Sequence, residues 1–92
     1  MNFQETLDLY QSGELQKMYP DYHIVYDETL NIIGWYKDYA LHREDGPAIE
    51  RANGDKVWYL NNERTTALEV FKQANDEQRK HMLCFYPNEF ST

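Results

Sequence analysis

Leu41-His42-Arg43-Glu44-Asp45-Gly46-Pro47-Ala48-Ile49-Glu50-Arg51-Ala52-Asn53-Gly54-Asp55-Lys56-Val57-Trp58-Tyr59-Leu60-Asn61-Asn62-Glu63-Arg64 reads as a charged loop feeding a tight β-hairpin. Asn53-Gly54 lies between two β-compatible runs, and both residue types tolerate the positive φ of a two-residue type I′ turn. With that turn, Ala52 faces Asp55, Ile49 faces Trp58 and Pro47 faces Leu60, which makes one apolar face. The other face sets Ala48 against Tyr59 and Glu50 against Val57, a mixed surface that a helix could half cover or a partner could use. Pro47 has no amide hydrogen, so it belongs at a strand start or edge.

Working outward, residues 38–46 are polar and read as irregular. Before them, Asn31 to Lys37 alternates, with Ile33 and Trp35 on one side and Ile32, Gly34 and Tyr36 on the other. The run from Tyr22 to Asp27 alternates in the same way, and the two pair antiparallel through a turn near residues 28–31. At the N-terminus, Asn2 with Glu5 three residues on caps a short helix through Phe3, Leu7 and Tyr10. Gly13 ends it, and Ser12 offers a cap for a brief turn through Leu15 and Met18 before Pro20. Phe3, Leu7, Leu15 and Met18 are the expected core residues of this segment. On the other side, Thr66-Ala67-Leu68-Glu69 opens a helix. Asn75-Asp76-Glu77-Gln78 either caps a second helix or forms the solvated middle of one long helix. The expected fold is α+β in one domain, 1–92. A helical segment (1–20) precedes a four-stranded, mainly antiparallel β-meander (22–61), followed by a helix or helix pair (66–84) and a loose tail (88–92).

The 92 residues carry sixteen Asp and Glu against nine Lys and Arg, a net charge of −7. The excess is N-terminal: residues 1–30 hold Glu5, Asp8, Glu14, Asp21, Asp27 and Glu28 against Lys17 alone. Such a field repels phosphate backbones and attracts basic surfaces, so no direct nucleic-acid binding is expected, and docking onto a basic protein surface is. The same acids could imitate the charges of a nucleic acid, or simply keep a small protein in solution. Aromatics make up 15%, including eight Tyr, amphipathic rings suited to a core edge or an interface. Cys84 is the only cysteine, which fits a reducing cytoplasm. The first residues lack a basic and an apolar leader region, and no apolar run approaches membrane-spanning length, so no membrane partner is expected.

Trp35-Tyr36-Lys37-Asp38-Tyr39 and Trp58-Tyr59-Leu60-Asn61-Asn62 repeat one pattern 23 residues apart, each an outgoing hairpin strand with its turn. In this respect the segment resembles MORN-type repeats. His42-Arg43-Glu44-Asp45-Gly46-Pro47-Ala48, with Asn53-Gly54 and Trp58-Tyr59, is similar to a variant in small proteins of tailed phages and some bacteria. The resemblance covers about residues 31–64. It departs from the repeat in having only Gly34, Gly46 and Gly54 there, and its second copy runs into the Thr66 helix. What it implies is a hairpin module in a phage-type accessory protein, in a setting where small acidic proteins bind and disable host restriction or CRISPR effectors.

The candidate binding residues are therefore the six N-terminal acids, the loop residues His42, Arg43, Glu44 and Asp45, and the strand residues Tyr36 and Tyr59. The loop could instead be structural, with Asp45 bracing the Gly46-Pro47 turn. Neighbouring residues diverge in direction, so no metal site is expected. His81 and Cys84 would share a helix face, but no third orienting group accompanies them. Trp35 and Trp58 could stack bases or grip a partner, but core packing is the expected account of both, leaving Tyr36 and Tyr59 as the surface contacts. No cofactor and no catalysis are expected. The second reading is a structural module whose exposed strand edge pairs with another copy, a homodimer.

Overall fold

The computed structural model describes residues 1–90. Helices α1 (Phe3–Gln11) and α2 (Glu14–Met18) precede the strands β1 (His23–Asp27), β2 (Ile32–Lys37), β3 (Ala40–Leu41), β4 (Ile49–Arg51), β5 (Lys56–Leu60) and β6 (Glu63–Thr65). Helices α3 (Ala67–Gln73) and α4 (Asp76–Phe85) and a 3-10 turn (Pro87–Glu89) complete the described chain. The architecture is α+β, with helices at both ends of an antiparallel sheet. That sheet has six strands in the order β1-β2-β4-β5-β6, with β3 also on β2.

Local chemistry sets the helix ends. Asn2 Oδ1 accepts from the Glu5 amide at 2.9 Å while the Glu5 carboxylate accepts from the Asn2 amide at 3.3 Å, the reciprocal capping box. Gly13, at φ +85°, turns the chain between α1 and α2, so the glycine and not Ser12 stands at the N-cap of α2. Thr66 Oγ1 accepts from the Glu69 amide at 3.2 Å to start α3. Asn75 and Gln78 form a second capping box, so the C-terminal segment is two helices. Arg79 then donates to the Phe71 and Lys72 carbonyls, each at 2.9 Å, satisfying the end of α3.

Alternation places Ile24, Ile33, Trp35 and Ala48 on the helix-covered face, where Leu7 and Leu15 complete a first apolar cluster. Trp58, Ala67, Val70, Ala74 and Met82 form a second cluster between β5 and the C-terminal helices. Gly34 lies on the opposite face, and a Cβ there would come within 3.1 Å of the Tyr36 ring. The absent side chain makes room for that ring.

The structure corrects the sequence reading at several points. Among the described residues the strands number six, because Asp38-Tyr39 and Asn61-Asn62, all four at positive φ, turn the chain back into the short strands β3 and β6. Neither turn contains glycine, and neither return strand is long enough to show alternation. The central hairpin is one residue out of the expected register: Ile49 faces Val57 and Glu50 faces Lys56. Its loop has three residues, Ala52 to Gly54, closed by Arg51 N donating to Asp55 O at 2.9 Å, and only Gly54 has positive φ, +97°. A one-residue slip exchanges the two faces of a strand, and this one turns Glu50 inward. Met18 is 53% exposed and not core, because α2 ends there and turns only Leu15 toward the sheet. The expected loose tail is ordered through Phe90, whose ring packs against Trp58 and Phe71. Its last two residues, 91 and 92, lie outside the described part.

Candidate functional site

The 42–47 loop is held at both ends by one residue of β2. His42 N donates to the Trp35 carbonyl at 3.0 Å, and Trp35 N donates to the Ala48 carbonyl at 2.8 Å. Between these bonds the chain leaves the sheet, and the Arg43 amide is taken up by the Tyr59 carbonyl at 3.2 Å. The Arg43 side chain then folds back across the face of Trp35, its guanidinium carbon 3.7 Å from the ring centroid. A desolvated contact of this kind stabilises by about 2 kcal/mol. Gly46 is required for this: a Cβ there would sit 2.6 Å from the guanidinium carbon.

Arg43 is only 2% exposed, so its donors need partners inside the protein. Nε donates to Asp45 Oδ1 at 2.9 Å, and Nη1 reaches the Pro47 carbonyl at 3.2 Å, Glu50 Oε1 at 3.1 Å and the Tyr86 hydroxyl at 3.2 Å. The Tyr19 hydroxyl donates to the other Asp45 oxygen at 2.6 Å, and Thr6 donates to Glu50 Oε2 at 3.4 Å. Two carboxylates thus share one guanidinium between the two apolar clusters. Burial works against the charge on Arg43, and Tyr86, Asp45 and Glu50 outweigh it, holding its pKa above the ordinary value. The carboxylates respond oppositely. Burial pushes Asp45 up, but Arg43, the Tyr19 hydroxyl and His81 bring it below its usual value. For Glu50, burial prevails over Arg43 and the pKa is raised. Glu50 is the more deeply buried of the two, at 1% exposure. Burial lifts Tyr22 and Tyr86 to about 12.

An outer layer surrounds this centre. The Asn61 amide donates to His42 Nδ1 at 3.0 Å, which leaves the proton on Nε2 facing Glu44 Oε2 at 2.8 Å. Lys37 reaches the same oxygen at 3.3 Å and Gln78 the other at 3.4 Å, and the His42 bond leads in lowering the Glu44 pKa. His81 Nε2 is 3.9 Å from Asp45 Oδ2, too long for a hydrogen bond; burial lowers its pKa, and its ring packs against Phe85.

Of the predicted site residues, His42, Arg43 and Asp45 are therefore buried in a structural cluster, and Glu44 is half-buried beside it. The acids Glu5, Asp8, Glu14, Asp21, Asp27 and Glu28 are all exposed, spread over α1, α2 and both ends of β1. Several hold local structure: Glu5 caps α1, Asp8 accepts from Gln4, Glu14 lies 3.7 Å from Lys17, and Asp27 accepts from the Thr29 and Leu30 amides. Tyr59 is half-buried and packs against the first apolar cluster, and Tyr36 is half-buried on the face opposite the helices. There, Asp21, His23, Val25, Tyr36, Asp38 and Tyr39 line an open groove of about 730 Å³.

Sequence reasoning missed Tyr39, Glu50, Tyr19 and Tyr86. The signal for Tyr39 was present: it matches Asn62 in the repeated pattern, so its turn and its exposure could have been read from the second copy. Cys84 is exposed on α4, three residues from His81. Among the described residues, no group of three His, Cys, Asp or Glu could hold a metal ion, and no helix is long and apolar enough to cross a membrane. Compared with protein-family models, curated proteins and solved structures, the chain matches none.

Proposed function

We propose that this chain is a non-enzymatic binding protein: a small acidic accessory factor of the phage type, working in the host-cell cytoplasm. It occupies a basic surface on a host defence or nucleic-acid-processing protein, in the manner of an anti-CRISPR or anti-restriction factor. The phage setting rests on the hairpin resemblance, and the choice of a basic partner on the charge distribution.

One observation carries the binding role, the placement of Tyr39. Its ring is fully exposed at the lip of the open groove, and its backbone is held at φ +65°. A bulky residue is disfavoured in that conformation, and glycine or asparagine would relieve it. In the second copy the same place is taken by Asn62, whose side chain accepts from the Leu41 amide at 2.8 Å. Among the described residues the Tyr39 side chain makes no such bond, so the strain returns nothing to the fold. Strain kept without a structural return marks a contact residue. Aromatic rings rimmed by Asp21 and Asp38 suit a partner that presents arginine or lysine around an apolar spot.

The test begins with capture of the tagged protein's partner from bacterial lysate in steps of rising salt, followed by affinity measurements with the purified partner. Tyr39→Asn is expected to raise Tm by a few degrees and to weaken binding at least tenfold, on the order of 1.4 kcal/mol or more. Asp8→Lys with Asp21→Lys is expected to weaken binding and flatten its salt dependence. Unchanged affinity in Tyr39→Asn would remove the groove from the interface, and unchanged affinity in the charge variant would remove the electrostatic part.

A further inference from the structure

We propose that β1 is the pairing edge of a two-fold homodimer, in which β1 of a second copy joins antiparallel about Val25. β1 ends the sheet and, among the described residues, pairs only with β2. Its five residues run in unbroken register against β2, with no bulge to twist the edge away. The sequence His23-Ile24-Val25-Tyr26-Asp27 contains no proline or lysine, the residues by which exposed edges are commonly blocked. The other end of the sheet differs: β6 has three residues, and Glu63 and Arg64 on it are exposed.

The register follows from the side chains. A two-fold axis at Val25 sets His23 opposite Asp27 of the second copy, twice, and sets Val25 against itself. All three residues are exposed on the face away from the helices, with Val25 36% exposed at the axis. Residues directly opposite in an antiparallel pair interact, and this register keeps the Asp27 carboxylates of the two copies apart, so no like charges meet across the seam. On the covered face, Ile24 meets Tyr26 of the second copy, beside the Phe3 and Tyr10 rings that already flank Tyr26. A one-residue slip would set the exposed residues opposite the buried ones, which disfavours it. His23 and Val25 also wall the groove, so the joined sheets carry two grooves, one on each side of the axis.

Each copy carries −7, so association is opposed at long range and strengthens as salt screens that repulsion. Binding of a basic partner weakens with salt. The opposite responses separate this dimer from the function proposed above, and neither result depends on the other.

Sedimentation velocity of the purified full chain over a concentration series, at low and moderate salt, tests the proposal. The expected result is a monomer–dimer equilibrium that shifts toward dimer as salt rises. Val25→Lys and Val25→Glu, each at an exposed position, are expected to keep the wild-type circular dichroism. Each should raise the dimer dissociation constant more than about tenfold, because like charges then meet at the axis. An equimolar mixture of the two variants should recover the dimer. Leu30→Lys removes an exposed apolar side chain outside β1 and should behave as wild type. A wild-type mass that stays monomeric at every concentration, a dimer that survives Val25→Lys, or a mixture that fails to recover would overturn the proposal.

Discussion

Trp35 and Trp58 occupy corresponding places in one repeated strand-and-turn pattern, yet a guanidinium lies on the face of the first and the C-terminal helices close over the second. Each is followed by a two-residue turn at positive φ and a short return strand. Eight residues after Trp58 stands Thr66, which caps α3, and the helices and Tyr86 and Phe90 close over the indole. Eight residues after Trp35 stands Arg43. There the chain must return to the sheet as β4 within a few residues, so no helix follows this copy, and the Arg43 guanidinium lies on the ring face while Tyr19 and Tyr22 pack edge-on beside it. That placement requires Asp45 and Glu50 as counter-charges and Gly46 as clearance. A desolvated ion cluster adds little net stability over an apolar core but is costly to break. The first copy should therefore be the more sensitive half of the molecule, and the second the more tolerant.

The largest expected difference is between substitutions at the two corresponding positions. Arg43→Ala leaves two carboxylates buried without their cation and uncovers Trp35, and is expected to cost about 3–5 kcal/mol in urea unfolding. Gly46→Ala should cost about 1–3 kcal/mol, because its Cβ displaces the guanidinium. It should do so only while the arginine is present, so the loss should shrink in the Arg43→Ala background. Thr66→Ala removes a helix cap and nothing else, and is expected to cost about 1 kcal/mol. Equal losses for Arg43→Ala and Thr66→Ala would break the comparison.

The smallest expected effect is a change of slope with pH, which sharpens the account of the ion cluster. Glu50 has a raised pKa, so its protonation favours the fold. The wild type should gain on Glu50→Gln as pH falls through the raised folded pKa toward 4.5. Asp45 has a lowered pKa, so its ionised form favours the fold. The advantage of the wild type over Asp45→Asn should be complete above 3.8 and fall away as pH drops below it. Parallel profiles for the two variants would mean that the carboxylates do not divide the guanidinium as the geometry indicates.

Much of the fold was legible where a local group has a local partner. Asn2 and Thr66 each cap a helix through an amide three residues on, so those helix starts could be read without knowing the rest of the chain, whereas the cap at Asn75 was left open between one helix and two until the structure divided them. The alternation around Ile24, Ile33 and Trp35 likewise identifies strands and their inward faces. The site was less legible. Asn53-Gly54 pointed to a hairpin, but the Asn53 side chain accepts from the Asp55 amide at 2.9 Å and joins a three-residue loop. Reading it as a two-residue turn moved the register by one, and with it the side of the sheet on which Glu50 lies.

The amino-acid order was enough to establish the α+β class, most element starts and the repeated Trp-Tyr pattern, because capping, alternation and turn formation act over a few residues. Tertiary structure decided that the charged heptapeptide faces inward. The partners that allow it come from distant positions, Tyr19 26 residues from Asp45 and Tyr86 43 residues from Arg43. A charge is buried only where counter-charges and donors converge in three dimensions, and no local pattern reports that convergence.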